Sequence, residues 1–150
     1  QPPKRVLITC LTPVQKAWQL NDDLSQTLQN ANLTTKTFLL DRPENSSPFA
    51  LARTMLEFKP DFIISLACTY NQLSVKPPAA IPFTTFITLP DMAVQSDQLN
   101  NLKPASHETL IACCDNSVRL PEQINKTPII RIDPADITNS KTILQKIHLT

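Results

Sequence analysis

No glycine occurs anywhere in the 150 residues. At average usage of about 7% roughly ten would be expected, and chance gives none with odds on the order of one in fifty thousand. Glycine supplies positive φ and lets a phosphate or a second backbone come close. Phosphate cradles built on glycine are therefore excluded, among them the P-loop, the dinucleotide fingerprint and the kinase glycine loop. Helix ends that need a left-handed residue must use something else, and Asn is the next choice.

Hydrophobic patterning gives alternating strands and helices. Val6 to Cys10 is a short apolar, β-branched run that reads as a buried strand. Thr12 then suits an N-cap with Pro13 at the first helical position. Val14, Ala17, Trp18, Asn21, Leu24, Leu28 and Ala31 recur at helical spacing, which puts Trp18 in the core and ends the helix near Asn32, in the left-handed position. Lys36 to Leu40 is a second strand. Ser47 and Pro48 open a second helix that Lys59-Pro60 ends. Asp61 to Ala67 is a third strand, apolar through its middle as parallel strands buried on both faces are. Leu73 to Pro82 reads as a loop. Phe83 to Thr88, Thr109 to Cys113 and Pro128 to Ile132 are three more strands. Met92 to Leu102 reads as weakly helical, Pro121 as the start of a short helical turn, and Ser140 as the cap of a terminal helix through Ile143, Leu144 and Ile147. The expectation is one α/β domain over residues 1–150, a doubly wound, mainly parallel sheet of five or six strands with helices on both faces, Rossmann-like or flavodoxin-like.

Composition narrows the function. A net charge of +1 offers no surplus to neutralise phosphates, which argues against nucleic acid. No apolar run reaches the roughly 18–20 residues that span a bilayer. The start, Gln1-Pro2-Pro3-Lys4, has no signal-peptide character, and four cysteines read as reduced thiols point to the cytoplasm. His107 and His148 stand apart without metal-ligand spacing, and no Cys-x-x-Cys occurs, so neither a metal nor a cofactor is expected.

Ligands of open parallel sheets bind outside the carboxyl ends of the strands, where strand order reverses. The strand ends carry Cys10, Asp41, Cys68 and Cys113, with Thr88 and Asp91 beyond the fourth strand. With the first and third strands adjacent, Cys10 and Cys68 would face each other across the crevice, and a helix starting just after Cys10 would favour its thiolate. Buried apolar thiols are the stronger reading of both. Asp41 stands where dinucleotide folds place a ribose-binding acid, but the glycine loop that should accompany it is missing. Asp22-Asp23 reads as a solvated helix face.

Two resemblances carry further expectations. Lys4 to Thr9 with the helix after it, Leu39-Leu40-Asp41, Phe58 to Ile64, Ile81 to Ile87, Thr109 to Asp115 and Ile129 to Asp136 resemble the N-terminal Rossmann-like half of a GT-B glycosyltransferase. In that family the last stretch carries a Pro-Gly-type turn, and Ala135 stands at the glycine. Leu11-Thr12-Pro13 replaces the glycine-containing loop after the first strand. The resemblance implies an acceptor-side half that is not catalytically complete alone, since the donor-binding half is absent. It also implies a sugar or sugar-nucleotide ligand, or a missing C-terminal domain, as partner. Thr12, Asp41, Thr69, Tyr70 and Asp91 are then the candidate ligand-binding residues. Lys59 to Ile64 and Ile81 to Thr88 also resemble response-regulator receiver domains. The places of that family's acids and lysine read Cys10-Leu11, Ala67-Cys68 and Cys114-Asp115, which implies a pseudo-receiver used for protein contacts. A chain redesigned to lack glycine, with no activity, is the third reading; it predicts several non-glycine residues at positive φ.

Overall fold

The computed structural model describes residues 4–11, 15–87, 103–114 and 120–147. The proposed cap at Thr12-Pro13 and the weakly helical Met92–Leu102 stretch lie outside them, as do Thr88 and Asp91.

The chain runs β1 (Arg5–Cys10), α1 (Gln15–Asn30), β2 (Thr34–Leu39), α2 (Pro48–Phe58), β3 (Phe62–Leu66), β4 (Phe83–Ile87), β5 (Glu108–Cys113), β6 (Gln123–Ile124), β7 (Thr127–Ile132) and α3 (Ser140–Lys146). They build one sheet in the order β2-β1-β3-β4-β5-β7-β6. Every neighbouring pair is parallel except β6 with β7. The fold is thus the mainly parallel α/β arrangement that the patterning predicts, with one strand more than expected.

Strand alternation sorts the core into two layers. Val6, Ile8, Phe62, Ile64, Leu66 and Phe86 pack with Ala17, Leu24 and Leu28 of α1 and Ile143 of α3. On the other face Leu7, Ile63 and Phe83 meet Leu51 of α2. Helices therefore cover both faces. Trp18 corrects the sequence reading, being 40% exposed. It lies roughly 120° around α1 from Leu24, outside the buried arc. That arc runs instead through Ala17, Asn21, Leu24, Thr27 and Leu28. Thr27 earns its place there by setting its hydroxyl 2.8 Å from the carbonyl of Ile137, which ties α1 to the 3₁₀ turn Pro134–Thr138.

Five non-glycine residues of the described chain have positive φ: Asn32, Lys59, Ala67, Asn125 and Lys126. Asn32 ends α1 as expected. Its N–H donates to Gln29 and that of Leu33 to Leu28, at 2.9 and 3.0 Å, which is the Schellman pairing. Lys59 ends α2 at φ 54°, and its N–H donates to the Met55 carbonyl at 2.9 Å. Ser47 caps the other end of that helix, its hydroxyl accepting from Phe49 N at 3.2 Å. Ala135 sits inside the 3₁₀ turn, where Asp133 accepts its N–H at 2.9 Å, and it is not among the five.

Two more differences concern helix starts. No helix opens at Pro121; Gln123 and Ile124 form a strand that pairs with Thr127 and Pro128 around a two-residue turn. Both central residues of that turn, Asn125 and Lys126, are left-handed (φ 47° and 71°), as a type I′ hairpin requires. Its usual signature is Asn-Gly, so the lysine hid the hairpin from view. At α3 the cap is Asn139, whose side chain accepts from Thr142 N at 3.2 Å, and Ser140 is the first helical residue.

The connection from β3 to β4 contains no α-helix. After Ala67 the chain folds back over the α2 face of the sheet, placing Cys68 and Leu73 in that core layer. A 3₁₀ turn at Tyr70–Gln72 is fastened from below by Glu108, which is only 4% exposed. Its carboxylate accepts from Tyr70 N at 3.1 Å, from Ala105 N at 3.0 Å and from the Thr85 hydroxyl. The Tyr70 ring meets Phe83 and His107 edge-on, at centroid distances of 5.2 and 4.5 Å.

Candidate functional site at the carboxyl edge of the sheet

β1 lies between β2 and β3, and Cys10 is the register partner of both Leu39 and Leu66. After β2 the chain crosses over β1 to place β3, and every later parallel strand adds on that side. The reversal therefore falls between β1 and β3. This order, 2-1-3-4-5, is the flavodoxin-like one and not the 3-2-1-4-5-6 of dinucleotide-binding sheets.

Of the five candidate residues, Thr12 and Asp91 lie outside the described residues. Asp41 stands two residues beyond β2 with its side chain exposed, the backbone before it held by the Leu40 N–H on the Cys10 carbonyl at 2.9 Å. Thr69 is only 3% exposed, and its N–H donates to the Gln72 side chain at 2.8 Å. The Tyr70 hydroxyl donates to the Pro77 carbonyl. Thr69 and Tyr70 are thus part of the fold-back after Ala67, held by bonds within that connection.

Cys10 and Cys68 do not face each other. Cys10 belongs to the α1 layer and Cys68 to the α2 layer, with the sheet between them. Burial pushes the Cys10 thiol up to about 11, helped by the negative charges of Asp41 and Asp22. Burial also pushes Cys68 up to about 11, with Glu108 adding and Lys76 opposing. Both are neutral thiols at physiological pH, which corrects the expectation that the helix after Cys10 favours its thiolate. Desolvation and nearby carboxylates outweigh whatever the helix end contributes.

One polar feature escaped the sequence reading. Thr9, Ser65 and Thr85 are successive register partners on β1, β3 and β4, all on the α2 face and each no more than 1% exposed. Ser65 donates to the Cys68 carbonyl and Thr85 to Glu108. The Thr9 hydroxyl is buried and has no hydrogen-bond partner among the described residues. Isolated hydroxyls in three apolar strands were the visible signal, but only the register shows that Thr9, Ser65 and Thr85 share one row. Asp22 and Asp23 are exposed on α1, as read from the sequence. Among the described residues no three His, Cys, Asp or Glu side chains gather as a metal site would need, and no helix is long and apolar enough to cross a membrane.

No known family model matches the chain. No curated protein matches it in sequence either.

Proposed function

We propose that the chain is a ligand-binding α/β domain of the acceptor-side, GT-B glycosyltransferase-like kind, not catalytically complete alone, with its site where β1 and β3 end together. The observation that carries this reading is the strand reversal between β1 and β3, because open parallel sheets leave a crevice at that point. The groups nearby favour hydrogen bonding over covalent chemistry. Asp41 offers an exposed carboxylate, both neighbouring thiols are protonated, and the Thr9 hydroxyl near the end of β1 lacks a partner within the described protein. A sugar or sugar nucleotide, rich in hydroxyls, is the matching ligand class. None of the four cysteines is in a disulfide, which supports a cytoplasmic, reducing setting.

Titration of isotope-labelled protein with monosaccharides and nucleoside diphosphate sugars, followed by amide chemical shifts, tests the reading. Saturable shifts at Cys10, Leu11, Asp41 and Ala67 are expected, weakened by Asp41→Ala and by Thr9→Val. Absence of any saturable shift at millimolar ligand sinks it.

A second reading, a pseudo-receiver interaction module, is favoured by the 2-1-3-4-5 strand order, which receiver sheets share. It predicts no small-ligand response and instead a protein-contact surface over the last strands and α3. A redesigned glycine-free chain, supported by the left-handed Lys59, Ala67 and Lys126, predicts neither response.

A further inference from the structure

The three hydroxyls of the Thr9-Ser65-Thr85 row are in different states. Ser65 donates to the Cys68 carbonyl and Thr85 to Glu108, whereas Thr9, only 1% exposed, has no partner among the described residues. A buried hydroxyl left in that state bears its whole desolvation penalty, and native interiors hold few of them.

The chain that closes over the row is as specific as the row itself. Thr9 and Ser65 are register partners on β1 and β3. Neighbouring strands lie about 4.8 Å apart, so the Cys68 carbonyl that Ser65 holds sits close beside Thr9. The backbone enters this turn through Ala67, left-handed at φ 68°, where a Cβ is disfavoured. The Ala67 N–H donates to the Phe86 carbonyl at 3.1 Å and anchors the start of the turn. Beyond that anchor, the Ser65 bond and the burial of Cys68 hold the turn down against the preference of Ala67.

Resting on the ligand-binding reading above, we propose that the Ala67–Cys68 turn is a latch over the floor of the β1/β3 site, closed by the Ser65 hydroxyl, and that once it lifts Thr9 bonds a hydroxyl of an uncharged sugar. An uncharged group suits this floor. Leu7, Ile63 and Leu51 belong to the same buried layer, where a phosphate would lose its hydration. Lys76 acts on Cys68, but Glu108 opposes it there, and its ammonium already donates to the carbonyls of Asn71 and Leu73.

Two neighbouring hydroxyls therefore have opposite roles, which substitution separates. Thr9→Val keeps the side-chain shape and should raise the urea midpoint of the ligand-free chain, because it removes a buried group that has no partner. The same substitution should weaken the saturable amide shift at Ala67 by roughly three- to tenfold, the loss of one neutral hydrogen bond. Ser65→Ala should tighten that titration, since the closed form then takes a smaller share of the population. Glucose, galactose and mannose are the test ligands, with uridine diphosphate and uridine diphosphate glucose as charged comparisons. Uridine diphosphate should leave Ala67 unmoved. A lower urea midpoint in Thr9→Val, weakening by both substitutions, or tighter binding of uridine diphosphate glucose than of glucose overturns the latch and leaves ligand binding intact. Silence toward every compound at millimolar concentration sinks the binding reading and the latch with it.

Discussion

At Ala67 and Lys126 the backbone turns left-handed, at φ 68° and 71°, with a Cβ in the way. Such a residue costs roughly 1–2 kcal/mol relative to its right-handed form, and glycine bears none of that cost. Asparagine, as at 32 and 125, bears less of it, because a short polar side chain can bond locally. Introducing glycine also enlarges the unfolded ensemble, which takes back part of the gain. Ala67→Gly and Lys126→Gly should each raise stability by about 0.5–1 kcal/mol. Urea denaturation is the check, and a lower midpoint in both would remove the argument from left-handed strain.

Among elements, the β3–β4 connection is held by one carboxylate as well as by the packing of Cys68 and Leu73. Glu108 accepts from Tyr70 N, Ala105 N and the Thr85 hydroxyl in a site nearly closed to water. Glu108→Ala should cost about 3 kcal/mol or more, since buried donors lose their only strong acceptor. Ser47→Ala, which removes an exposed helix cap, should cost about 1 kcal/mol. Equal losses from the two in urea denaturation would mean that the clamp is ornamental. What the sequence revealed follows the same division. Apolar strands, the Asn32 terminator and the Ser47 cap were legible because each depends on neighbours within a few residues. The Glu108 clamp and the Thr9-Ser65-Thr85 row were not, because strand register brings together residues far apart in sequence. The β6–β7 hairpin was hidden for another reason, its turn using Lys126 where a glycine would have announced it.

For the whole molecule, two neutral thiols on opposite sides of the sheet make folding sensitive to alkali. Cys10 and Cys68 ionise near 11 in the folded chain against an ordinary 9.0. Between those values the unfolded chain has released protons that the folded chain still holds, so stability falls as pH rises. Below about pH 9 the contribution is fully present, and through pH 11 it is lost, on the order of 2 kcal/mol for each thiol. Thermal melts from pH 8 to 11 should therefore decline in the wild type, and less steeply in Cys10→Ala/Cys68→Ala. A decline of the same steepness in both chains would assign the alkaline loss to other groups.

The sheet also stops differently at its two ends. β7 is fenced by the two-residue β6, whereas β2 closes the opposite end with six residues, Thr34–Leu39. A strand of that length at a sheet border is a template on which a foreign chain could add by main-chain pairing, and a lysine in its middle discourages such growth. Lys36 stands there with its side chain in solvent. Neutralising that one ammonium would leave Thr34 to Leu39 uncharged along the whole rim, and copies crowded together would begin to join edge to edge.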